Sequence, residues 1–136
     1  MYRKIIVPVD CGALDKGEKI LRKAQALLDD GGEIVLLTVV EDVPGYLAID
    51  VPIDMMEGAI EDGKQKLAEL QTKTGIAACT ELRRGHAARE IIAAAAEHGA
   101  DLVIVGSHVP DFANYFIGAT ADRVVRHCKC SVLVDR

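Results

Sequence analysis

Two kinds of segment alternate along this chain, and that alternation limits its fold more than any other feature. Short runs of β-branched and aliphatic residues are each followed by a stretch whose apolar positions return every three or four residues. The runs are Ile5–Val9, Ile34–Val40, Ala77–Leu82, Leu102–Val105 and Ser131–Val134. The Ile34–Val40 run is apolar almost without interruption, as expected of a strand covered on both faces rather than one. Between the runs, helical spacing puts Ile20, Leu21, Ala24, Leu27 and Leu28 on one face, and Asp29-Asp30-Gly31-Gly32 is expected to stop that helix. A long helix is expected from about Met55 to Lys73, after an irregular excursion from Glu41 to Asp54 punctuated by Pro44-Gly45 and Pro52. Gly85-His86 opens a third helix, which carries Ile91, Ile92 and four consecutive alanines and ends at Gly99; a fourth begins at Gly118. Five strands alternating with four helices, joined by right-handed crossovers, predict an α/β fold: a doubly wound five-stranded parallel sheet with helices on both faces.

Composition agrees with this architecture and removes several functions. The 136 residues suit one domain spanning 1–136, and a hydrophobic half with only 4% aromatics favours aliphatic helices on a sheet over an aromatic sandwich. A net charge of -5 with no basic stripe argues against a nucleic-acid surface. Only Ile5, Ile6 and Val7 separate Lys4 from Pro8, too few for the apolar core of a signal peptide, and no run approaches the roughly 20 apolar residues of a membrane span. A cytoplasmic protein with no membrane partner is expected. Cys11, Cys79, Cys128 and Cys130 are then expected to be reduced bystanders, with no metal site; Cys128-x-Cys130 is the one close pair, and Cys11 is the exception to watch because it adjoins the expected cleft.

In open parallel sheets, ligands bind beyond the carboxyl ends of the strands where strand order reverses. If the first and fourth strands flank that point, the site is lined by Val9-Asp10-Cys11 on one side and Gly106-Ser107-His108 on the other, with the helix from Gly118 aimed at it. That helix start offers free N–H groups and a positive dipole end to an anion, Gly118 permits close approach, and Thr120 adds a hydroxyl; the same residues also serve simply to start a helix. Asp10 has two readings, an acceptor for ribose hydroxyls or a cap for the following helix. Gly12 to Lys19 echoes a phosphate-binding loop but has Glu18 where the lysine belongs and Lys19 where the magnesium-binding hydroxyl belongs, so it is a turn and helix start. No G-x-S-x-G, H-E-x-x-H or G-x-G-x-x-G occurs, and Glu61, Asp62, Glu69 and Glu90 read as solvated helix faces. Nothing in the sequence requires an enzyme.

Taken together, these residues resemble the universal stress protein family over the whole chain. Lys4-Ile5-Ile6-Val7-Pro8-Val9-Asp10 resembles its first strand, Ala100–His108 its fourth strand and loop, and Gly118-Ala119-Thr120 through Cys130-Ser131-Val132-Leu133-Val134 its tail. The family's nucleotide motif, G-x2-G-x9-G-[ST], is met at Gly106 and Gly118, whereas Val109 stands in place of the second glycine and Ala119 in place of the hydroxyl residue. The loop Ser107-His108-Val109-Pro110-Asp111 is similar to a subgroup of short members with S-H-R-P-D, which includes ATP binders. The resemblance implies strand order 3-2-1-4-5 and an adenine nucleotide, ATP foremost, bound with Mg²⁺. It implies Asp10 on the ribose, Pro8, Val9, Val39 and Val105 around the base, and Gly106, Ser107, His108, Gly118, Ala119 and Thr120 around the phosphates. It implies a stress-response regulator with, at most, slow ATP hydrolysis. With that strand order, Ser131–Val134 is an open apolar edge, from which a homodimer is expected. The alternative is a dimeric interaction module of the same fold that binds no nucleotide, favoured by Val109 and Ala119 and opposed by Asp10, Gly106 and Gly118. An adenylating enzyme would need a Ser-Gly-Gly-type loop where Asp10-Cys11-Gly12-Ala13 stands.

Overall fold

A computed structural model describes residues 1–41, 53–107 and 118–136. Its elements run β1 (Tyr2–Pro8), α1 (Leu14–Leu27), β2 (Leu28–Val40), α2 (Ile53–Thr74), β3 (Cys79–Arg84), α3 (Ala87–His98), β4 (Leu102–Gly106), α4 (Ala119–His127) and β5 (Ser131–Asp135). All strand pairs are parallel and the order is β3-β2-β1-β4-β5, as expected. The excursion with Pro44, Gly45 and Pro52 lies outside the described residues, as does His108.

The centre of the sheet explains why the strands are apolar without alternation. Ile5, Ile6 and Val7 in β1 are all fully buried although successive side chains point to opposite faces. Ile5 and Val7 join Leu36 and Ile104 under α1 and α2, where Ile20, Leu21, Ala24, Leu67 and Leu70 pack. Ile6 joins Val35 and Val103 on the other face, where α3 and α4 supply Ala88, Ile91, Ala94, Ala95, Ala121 and Val124. The register Ile5↔Ile34, Val7↔Leu36 and Ile5↔Leu102 aligns these layers across the three central strands. Asp101 fastens the foot of the sheet, its carboxylate accepting the Arg3 and Lys4 N–H groups at 2.9 and 3.0 Å.

Two boundaries differ from expectation for physical reasons. The Asp29–Gly32 stretch does stop α1, but the chain is extended at once: β2 begins at Leu28, paired with Tyr2, and the register shifts before Lys4↔Glu33. Gly31, at φ +78°, takes the left-handed conformation that this bulged extension needs. β3 runs two residues later than its apolar run suggests, ending on Arg83 and Arg84 paired with Val39 and Val40. A sheet-edge strand needs no apolar run, and Arg83 is held by Glu90 at 3.0 Å and by both carboxylate oxygens of Glu97 at 2.9 and 3.0 Å. Gly99 ends α3 as expected, in the left-handed conformation (φ +63°), with its N–H reaching the Ala95 and Ala96 carbonyls.

Candidate functional site

A cavity of about 580 Å³ opens at the carboxyl ends of β1, β2 and β4, where the chain leaves β1 for one side of the sheet and β4 for the other. Its floor is Pro8, Val9 and Asp10, followed by Cys11 and Gly12; one wall is Thr38–Glu41 with α2, the other Val105 and Gly106 with the starts of α3 and α4. The floor is built by bonds that outrun the regular ladder. Pro8, paired with Leu37, is the last residue of β1, yet the Val9 N–H still donates to the Leu37 carbonyl at 2.7 Å. Thr38 is the polar residue in the buried core, and its hydroxyl donates to the Val9 carbonyl at 2.9 Å while lying 3.3 Å from the Cys11 sulfur. Asp10 Oδ1 accepts the Gly12 N–H at 2.8 Å, which folds the turn; the N-cap of α1 is Ala13, so Asp10 shapes the cleft rather than capping the helix.

Of the residues singled out in the sequence, Pro8, Val9, Asp10, Val39, Val105, Gly106 and Thr120 line this cavity together. Gly118 is the N-cap of α4 and Ala119 its first residue, two positions and one position ahead of the lining Thr120, and no side chain caps the helix. Ser107 has a different job at its backbone: its N–H donates to the Asp135 carbonyl at 2.9 Å and extends the β4–β5 pairing. A Cβ on Gly106 would stand 3.2 Å from Ile20 Cδ1, a tight contact to which the end of the isoleucine side chain would have to yield.

The wall from α2 was not legible. Ala59, Asp62, Gly63 and Lys66 all line the cavity. Asp62, read as a solvated helix charge, is indeed exposed, and it also holds Lys66 Nζ at 2.9 Å on the cavity wall, a bond that raises the lysine's pKa. Lys66 thus puts a cation on the cavity wall. Gly63 lets α2 settle against β3, because a Cβ would come within 2.9 Å of Leu82 Cδ1. The signals were Gly63 and Lys66 one turn apart on a helix and a lone threonine inside an apolar strand, each meaningful only once the helix orientation is known. Among the described residues, the ionisable ones lining the cavity are the acids Asp10, Glu41 and Asp62, Cys11 and one cation, Lys66. Among the described residues no group of three or more His, Cys, Asp or Glu is placed to hold a metal ion, and no helix is long and apolar enough to cross a membrane.

A five-stranded parallel sheet of order 3-2-1-4-5 with helices on both faces and a cleft at its switch point defines the class of doubly wound α/β proteins. Within that class the assignment is specific: the model of the universal stress protein family matches residues 1–136, and this chain belongs to that family. It is 32% identical over 147 residues to universal stress protein G of Shigella flexneri, each chain covered in full. Among solved structures, that of the hypothetical protein MJ0577 superposes with a TM-score of 0.80 at 23% identity, covering 98% of this chain and 95% of that one. A universal stress protein in complex with cAMP (TM-score 0.59, 18% identity, 99% and 97% covered) and one from Archaeoglobus fulgidus in complex with dAMP (0.59, 15%, 99% and 98%) share the fold.

Proposed function

We propose that this protein binds an adenine nucleotide, ATP foremost, in the cleft between β1 and β4, and acts as a regulatory homodimer in the cytoplasmic stress response. The observation that carries the reading is the convergence of Pro8, Val9, Asp10, Val39, Val105, Gly106 and Thr120 on one cavity of about 580 Å³. Relatives of the same fold in complex with cAMP and dAMP support adenine as the base. Val9, Val39, Val105 and Ile91 offer apolar walls for a purine, and Asp10 accepts ribose hydroxyls. The glycine at 106 and the first N–H groups of α4, with Ser107, Gly118, Ala119 and Thr120 beside them, accommodate phosphates. With three acids against one lysine among the described lining residues, a polyphosphate needs a counter-ion, so Mg²⁺ is expected to arrive on the nucleotide rather than on a protein site. Hydrolysis in this reading is slow or absent.

Dimerisation is assigned to β5, the sheet edge opposite β3, where Val132 and Val134 pack under one face and Leu133 under the other while the outer backbone edge is open to a two-fold mate. The chain is read as a single domain. Calorimetry with ATP, ADP and AMP is the test. Asp10→Ala should weaken binding by about 1.5–3 kcal/mol, and Gly118→Asp should abolish it with the fold intact. Absence of heat or thermal shift at saturating nucleotide would hand the protein to the ligand-free dimer, the reading that Ala119 favours. A purely monomeric sedimentation profile would remove the dimer.

A further inference from the structure

Away from the cleft, the turn between α4 and β5 brings two sulfurs together. Cys128 is the C-cap of α4, its backbone extended (φ −73°, ψ 138°) and its N–H donated to the Val124 carbonyl at 2.9 Å. Cys130 immediately precedes Ser131, the first residue of β5, which pairs with Leu102. Only Lys129 lies between them, and the two Sγ atoms are 3.3 Å apart. Both side chains are half-buried against the alanine-rich face, at the rim of a hollow of about 290 Å³ whose wall also includes Ala95, Ala96, His127 and Lys129. The sulfurs thus face a space that admits a small molecule, with two basic side chains beside it.

We propose that Cys128 and Cys130 are a reversible dithiol–disulfide switch that reacts with low-molecular-weight disulfides of the glutathione type. Burial, and then the hydrogen bond to Cys128, push the Cys130 thiol up to about 12, and in this scheme Cys128, at the end of α4, is the first sulfur to react. The Cys128 thiolate attacks one sulfur of the small disulfide, forming a mixed disulfide and expelling one small thiolate. Cys130 then loses its proton to that thiolate and attacks Cys128 Sγ, expelling the second, which takes up from solvent the proton that Cys128 released on ionising. Two protein thiols and one small disulfide become one protein disulfide and two small thiols, so the electron pair and both protons are accounted for.

The sulfurs stand 3.3 Å apart and would close to a bond of about 2.05 Å in a ring with a single intervening residue. The turn that tightens is the one that delivers Ser131 to Leu102, so oxidation acts on the first residue of the edge strand. Cys79, on β3 and donating to Glu33 at 2.9 Å, has no such neighbour and serves as an internal single-thiol control.

The test equilibrates the wild-type protein with glutathione buffers of rising oxidised fraction, quenches with acid, alkylates free thiols, and maps peptides after cleavage at acidic residues, which leaves Lys129 intact. The expected result is a peptide carrying residues 128 and 130 that is two hydrogens lighter, unalkylated, free of glutathione and restored by excess reduced glutathione. Cys79 in the same samples should carry only alkyl or glutathione. In Cys130→Ser the mixed disulfide should persist on Cys128. If the wild-type peptide carries alkyl groups or glutathione on both sulfurs at every ratio, the proposal is overturned. It is equally overturned if Cys130→Ser and wild type accumulate the same glutathione adduct.

Discussion

The two faces of the sheet are packed by different means. Under α1 and α2 the helices present Ile20, Leu21, Leu67 and Leu70, bulky side chains that hold the helix axes away from the strands. Where those helices must nevertheless come close, near the cleft, they carry glycine: a Cβ on Gly17 would stand 2.9 Å from Val9 Cγ1, and one on Gly63 2.9 Å from Leu82 Cδ1. Under α3 and α4 the buried residues are mostly alanines, Ala88, Ala94, Ala95 and Ala121, with Ile91 and Val124 among them, and this flush face keeps a hollow of about 290 Å³ beside Ala95 and Ala96. The first face has volume to lose, and at fully buried Ala94 the second has little to gain.

The largest expected effect tests the bulky face. Leu21→Ala, at a fully buried position, should cost about 2–5 kcal/mol in denaturant unfolding, because a cavity remains beneath α1. The flush face should respond to the opposite change: Ala94→Leu, also at a fully buried site, should cost about 1–3 kcal/mol by overpacking. If Ala94→Leu were neutral, the alanine face would have slack and the contrast would fail.

A smaller effect concerns the foot of the sheet shared by both faces. Burial raises the pKa of Asp101, but the N–H bonds from Arg3 and Lys4 outweigh it and hold the carboxyl below its ordinary 3.8. A carboxyl depressed on folding contributes stability above its unfolded value and loses it as pH falls through the folded one. Asp101→Asn should therefore be less stable than wild type at neutral pH, with the gap narrowing below about pH 3.8 and vanishing at lower pH, as followed by urea titration across pH. Asp135, shifted the same way by Lys23 and Lys19 against its burial, is present in both proteins and cancels. The smallest effect is on the outer side of α4, where Arg126 bonds Asp122 at 3.1 Å in open solvent: Arg126→Ala should change thermal stability by no more than about 0.5 kcal/mol.

What the sequence made legible follows the same physical division. Ile5-Ile6-Val7 and Leu102–Val105 are apolar on consecutive residues because both faces are covered, and that pattern needs no tertiary knowledge; the strand order came instead from the resemblance. The β1 and β4 ends of the cleft were legible because topology fixes where strands end. Asp62, Gly63 and Lys66 were not, since their place on the cavity wall depends on which side of α2 meets β2 and β3. Arg83 was hidden for a related reason: its three acidic partners come from β3 and α3 and converge only when the edge strand is in register.

The Thr38 hydroxyl carries one further consequence. Because the backbone beyond Pro8 is fastened by the Val9 N–H to Leu37 and by Thr38 to the Val9 carbonyl, none of the anchoring atoms belongs to the side chain of Val9, Asp10 or Cys11. Substitution of the Asp10 or Cys11 side chain leaves these two bonds in place, although it alters the Asp10 turn or the sulfur contact with Thr38, whereas loss of the Thr38 hydroxyl releases the Val9 carbonyl itself.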